Sequence, residues 1–184
     1  MFNVVMFAIG LATVFAITTL SMMKFIKPGF EFWPPPSPNS WQHHTFRALF
    51  RTFFASLLVI SVSDFHTGST WRYVLGGSLL VIGFGFALRW TGFLGWRDAF
   101  GEATVLKTEG PFAWSRNPIY MASIVGMIGW ALTMGSWYVS VLLGLWGLLY
   151  ICAPFLEEPW LEQEFGEAFR DYRRRVPRYL GIPR

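Results

Sequence analysis

Arg116, Asn117 and Tyr120 crowd the start of one apolar run, and the adjacent carboxylates Glu157 and Glu158 stand at the end of another. These residue types can do chemistry together. A guanidinium holds a carboxylate through paired hydrogen bonds. A carboxylate accepts from an amine or a diol, or takes a proton from a nucleophile. A tyrosine ring packs on a flat base or a cation. Charged groups set against a spanning helix are costly, so their convergence is by default a functional-site hypothesis. An ion pair that merely caps two helices would use the same residues, and on residue types alone both readings stay open.

The elements that must position them are apolar. Hydrophobic residues make up 53% of the 184-residue chain and charged residues 14%, against about 25% charged in a soluble domain. This implies an integral membrane protein, read as a single domain over 1–184. A formal charge of +4, with no basic and aromatic residues gathered on a polar domain, argues against a nucleic-acid partner. The lone Cys152 permits no intrachain disulfide and reads as packing.

Five spans are expected, at about 2–23, 46–62, 71–90, 118–134 and 137–156, each close to the length a bilayer core requires. The first lacks the basic flank of a cleaved signal. Pro34, Pro35, Pro36 and Pro38 stiffen the loop after it, with Trp33 and Trp41 at headgroup level. His43-His44 has no third ligand nearby, so no metal site is expected. Gly76, Gly77, Gly83 and Gly85 would let helices approach closely in the third span. Pro118 suits the first position of the fourth span, and Gly135-Ser136 alone joins it to the fifth, making a tight hairpin. Glu157-Glu158-Pro159 is read as ending that span. Beyond it, Leu161, Phe165, Phe169, Tyr172 and Val176 mark an amphipathic helix over about 160–176. Its late arginines suit the helix dipole and anionic headgroups. The expected fold is therefore an all-α polytopic membrane bundle, five transmembrane helices plus a cytoplasmic amphipathic C-terminal helix.

This topology puts every lysine and arginine except Arg72 on one side. The positive-inside rule makes that side the cytoplasm, with the N-terminus outside. It also brings Thr104–Tyr120 to the same end of the hairpin as Glu157-Glu158.

GPFAWSRNPIY, followed after one hairpin by EEPWLEQEFGEAFRDYRRRVPRYL, resembles the isoprenylcysteine carboxyl methyltransferase and phospholipid methyltransferase superfamily. The likeness rests on Gly110, Pro111, Arg116, Asn117, Pro118 and Tyr120. It continues at Glu157, Glu158, Leu161, Phe165, Gly166, Tyr172, Val176 and Arg178, and covers about 90–180. The spans over 1–90 carry no signature beyond hydrophobicity. The resemblance implies a membrane methyltransferase using S-adenosyl-L-methionine, with a lipophilic substrate entering from the bilayer. It assigns cofactor contacts to Thr104, Val105, Leu106, Lys107, Gly110, Phe112, Arg116, Asn117, Pro118, Tyr120 and Glu157. Glu158 is the candidate general base. Asn117 stands where histidine is commoner, as in many bacterial members, so a bacterial inner membrane is the expected location. Thr104 also replaces a histidine, and Phe112 and Phe169 replace tyrosines. Ala153 stands where the carboxyl methyltransferases have arginine. A carboxylate acceptor would lack its counter-ion, so an amine, thiol or hydroxyl acceptor is expected. Two other functions fit the same residues: a nicotinamide-dependent membrane reductase of the sterol reductase type, usually larger, and a non-catalytic lipid-binding protein.

Overall fold

The computed structural model describes residues 1–27, 29–102 and 104–181. Its helices are α1 (Phe2–Met22), α2 (Trp41–Ser63), α3 (Thr70–Leu94), the short α4 (Trp96–Ala99), α5 (Pro118–Met134), α6 (Trp137–Phe165) and α7 (Glu167–Arg175). No strand occurs among the described residues. The protein is a helical membrane bundle. The helices α1, α2, α3 and α6 are each long and apolar enough to cross a bilayer, and α5 is an apolar helix of 17 residues.

The core is built on α6. Trp146 is buried at its centre and stacks on Phe53 of α2 at 4.8 Å, with Val14 and Ile17 of α1 in the same cluster. Gly10 lets α1 close on α6: a Cβ there would lie 2.8 Å from a Leu142 methyl. Of the third-span glycines, Gly76 and Gly83 make the expected close approach, against α5, whereas Gly77 and Gly85 face open space, contrary to expectation. A Cβ on Gly76 would lie 2.6 Å from Thr133 Oγ1, and one on Gly126 would lie 2.8 Å from the Phe84 ring. Such small-residue seams hold helices together where lipid removes the hydrophobic drive.

Three boundaries differ from the sequence reading. The third span runs past Trp90 to Leu94. The second span begins at Trp41, because Ser40 Oγ accepts the His43 N–H at 3.2 Å and caps the helix there. The fifth does not stop at Glu157-Glu158-Pro159. It runs to Phe165 and turns at Gly166, φ +56°, into the separate α7. Pro154 and Pro159 lie inside α6. A proline removes one helix hydrogen bond and disturbs the turn before it. In the turn ahead of each proline a donor arrives from outside the helix, at the carbonyl one residue past the one whose donor the proline removes. The Tyr179 hydroxyl donates to the Ile151 carbonyl, and Lys24 Nζ to that of Leu156, at 2.7 Å. At 1.5 Å per residue, the stretch from Trp137 to Glu157 is about 30 Å long, roughly one hydrocarbon core. The last turns of α6 therefore project beyond the apolar layer.

Polar groups tie the helix ends together at both poles. At the pole of the α5–α6 turn, Ser136 caps α6 and donates to Asp64 Oδ2 at 2.5 Å. Asn3 donates to Asp64 Oδ1 at 3.3 Å. Arg72 donates to the carbonyls of Leu132 and His66 at 3.0 and 2.7 Å. The opposite pole carries the site.

Candidate active site

The segment expected to matter is fastened to the C-terminal tail before it enters α5. Gly110, at φ +57°, opens a 3-10 turn over Gly110–Ala113 that buries Phe112. The backbone N–H of Arg116 then donates to Pro177 O at 3.0 Å, and Asn117 Nδ2 to Arg178 O at 3.0 Å. Beneath this seam, Phe112 packs with Phe169, Tyr172 and Val176, the apolar face of α7. The Tyr172 hydroxyl donates to Phe112 O at 2.7 Å, and burial pushes its pKa well above the ordinary tyrosine range. That hydroxyl stays protonated and keeps donating.

The two adjacent glutamates have different surroundings. Glu158 is buried and closed by two arginines. Its Oε1 accepts from Arg116 Nη2 at 2.8 Å and Arg178 Nε at 2.9 Å, and its Oε2 from Arg178 Nη2 at 2.7 Å. The carboxylate in turn pushes the Arg178 pKa up. Arg116 spends its other nitrogen, Nη1, on the carbonyls of Arg173 and Val176 at 2.8 and 2.9 Å; only its buried Nε lacks a partner. Glu158 is thus an anchor for the tail, with no oxygen free to relay a proton. Arg116 is committed to the same anchor.

Glu157 has no cation within 4.0 Å among the described residues. Its Oε1 accepts from Trp33 Nε1 at 2.7 Å and from the Tyr120 hydroxyl. No protein donor reaches Oε2 among the described residues. Tyr120 packs on Tyr150 at 4.7 Å.

Both glutamates line a cleft of about 950 Å³, counted out to its open mouth. The projecting end of α6 supplies one wall with Trp160, Leu161 and Phe165, and α7 supplies Phe169 and Tyr172. The loop before α5 supplies Val105, Leu106 and Lys107, with Phe112, Arg116 and the Asn117–Tyr120 turn following. Lys107 Nζ lies 5.5 Å from the Phe93 ring centre and has no carboxylate within 4.0 Å among the described residues. Thr104 and Gly110 are not part of the lining. Thr104 is turned to Asp98, whose Oδ1 accepts both its N–H at 2.5 Å and its hydroxyl at 2.7 Å. Gly110 serves the turn that aims Phe112.

The fourth wall comes from the first half of the chain, where sequence reasoning placed nothing. Trp33 and Pro34 line the cleft, and Pro35 abuts Gly101. The signal available was a tryptophan opening a proline run on the same expected side as Glu157-Glu158. On sequence alone that tryptophan marks only a headgroup anchor.

A polytopic helical bundle with a largely apolar, aromatic-walled cleft at one pole defines an integral membrane protein with a candidate site at its surface. The family model for phospholipid methyltransferase matches residues 71–168, more than half of the chain, and the chain belongs to that family of membrane methyltransferases. It is also similar to the nickel-cobalt-cadmium resistance protein NccN of Alcaligenes xylosoxydans xylosoxydans, 32% identical over 80 residues. That match covers 43% of this chain and 37% of NccN, so the chain spans little more than a third of that curated relative's length. No solved structure matches.

Proposed function

We propose that the cleft binds S-adenosylmethionine and that the protein transfers its methyl group to an amine, thiol or hydroxyl of a lipophilic or amphiphilic acceptor. The acceptor reaches the cleft from the bilayer, at the cytoplasmic face. The observation that carries this reading is Glu157, a carboxylate with no cation within 4.0 Å among the described residues, in a cleft walled by aromatic rings.

The residues present fit such a cofactor. Glu157 Oε2 accepts from an ammonium or a ribose diol. Lys107 holds a carboxylate, a task that Arg116 can share only through its unpartnered Nε. Phe112, Tyr120 and Trp160 pack against a flat base or a cation. When bound, the cofactor supplies a methyl group on a sulfonium, ready for in-line displacement. The protein's own work is then to align donor and acceptor and keep water out. A phospholipid amine fits this geometry, and Ala153 leaves a carboxylate acceptor without a counter-ion. The basic residues at this pole support the cytoplasmic assignment. The metal resistance in NccN's name stays with that protein. The described residues of this chain contain no group of three or more metal-ligating side chains.

Calorimetric titration of the purified protein with S-adenosylmethionine and with NADPH tests the cofactor. Saturable binding of the first is expected, and binding of NADPH alone would remove the methyltransferase reading. Incubating membranes with methyl-labelled cofactor and separating lipid, protein and volatile fractions then identifies the acceptor.

A further inference from the structure

The family match begins at residue 71, yet one contact to the carboxylate at the centre of the cleft comes from Trp33. We propose that Trp33 is a positioning residue: its indole N–H holds Glu157 so that one oxygen is left for the ligand. The first half of the chain thereby completes the site instead of serving only as a membrane anchor. The proposal rests on the cofactor reading above.

A glutamate's terminal torsion is broad and easily turned. At Glu157 two donors from different parts of the chain converge on one oxygen, Trp33 Nε1 and the Tyr120 hydroxyl. They hold the carboxylate plane and direct binding to Oε2. Trp33 is itself restrained. Its ring stacks on Phe46 of α2 at 4.3 Å. The prolines after it back onto Gly101, where a Cβ would lie 2.9 Å from Pro35 Cδ. Lys24, from the end of the first span, steadies the α6 turn beside Glu157 through the Leu156 carbonyl. A carboxylate set in place before the ligand arrives costs the complex less ordering than one that must be captured.

The test is a double-mutant cycle on the full chain in detergent micelles, reading the Kd for S-adenosylmethionine. Trp33→Phe keeps the ring and removes only the N–H. It is expected to weaken binding about tenfold, the scale of one hydrogen bond to a charged group. In a Glu157→Ala background the same change is expected to cost less than about twofold, because the group it positions is gone. Phe46→Leu frees the Trp33 ring without touching the cleft. It is expected to show the same coupling, and it stands in if Trp33→Phe does not fold. Unchanged binding by Trp33→Phe, or an equal loss in both backgrounds, would overturn the assignment, since a merely structural tryptophan acts independently of Glu157. If the unmutated protein takes up no S-adenosylmethionine, the cofactor reading fails, and the role of Trp33 falls with it.

Discussion

The two poles of this bundle use similar groups for different ends. At the α5–α6 turn, Asp64 has a partner on each oxygen: Asn3 on Oδ1, with Ser136 and, at 3.5 Å, His66 on Oδ2. Arg72 spends itself on the carbonyls of Leu132 and His66. At the other pole Glu158 is closed in the same way by Arg116 and Arg178. Its neighbour Glu157 is left with an oxygen facing a cleft. Buried polar groups are ordinarily satisfied within the fold. The difference between the poles, more than the presence of charge, is what supports the proposed ligand site.

Glu158→Ala should break this comparison hardest. It leaves the buried Arg116 guanidinium and the Arg178 head without their carboxylate. Removing one partner of a buried pair costs about 3–5 kcal/mol. The expected result is a lowered unfolding midpoint in detergent, with the C-terminal tail opened to protease. Glu157→Gln should do the opposite: leave the midpoint nearly unchanged, because glutamine still accepts from Trp33 and Tyr120, while weakening S-adenosylmethionine binding about 10–100-fold, the worth of a charged hydrogen bond. Equal effects of the two substitutions on stability and on binding would dissolve the distinction drawn between the glutamates.

Helical class, the two-residue hairpin and the meeting of Arg116 with the acidic pair were legible, because apolar runs and turn residues report on a membrane fold directly. The division of labour between Glu157 and Glu158 was not. Adjacent helical residues point about 100° apart, and which one met Arg116 depended on how far α6 continued. Pro159 suggested a stop. Yet prolines are tolerated in such helices when other donors satisfy the carbonyls they disturb, and Lys24 and Tyr179 come from distant parts of the chain. Trp33 was unreadable for a similar reason: its contact with Glu157 exists only once α1, α2 and α6 are assembled. The resemblance implied a cofactor contact at Thr104, which departs from the family's histidine, but its polar atoms go to a local partner, Asp98.

Ser136→Ala tests the closed pole more gently. It removes both the cap on Val139 N–H and the donor to Asp64, at a fully buried position. A cap of this kind is worth about 0.5–2 kcal/mol. The unfolding midpoint should fall while S-adenosylmethionine binding at the opposite pole stays within about twofold, since sites this far apart add independently.

The smallest effect is expected at Tyr172, which closes the cleft floor without facing an open charge. Tyr172→Phe keeps the ring among Phe112, Phe169 and Val176 and loses the hydroxyl's bond to Phe112 O. The cost should be about 1 kcal/mol. It should also change the alkaline limb. Burial raises the Tyr172 pKa in the folded protein, so the neutral phenol favours folding fully below the unfolded value of about 10. That contribution is lost as pH climbs from there toward the folded value. Wild-type stability should therefore fall above about pH 10 more steeply than that of Tyr172→Phe. Unfolding midpoints for the two proteins from neutral pH upward should converge. Parallel curves would mean that this hydroxyl is solvated, and that the α7 seam is held without it.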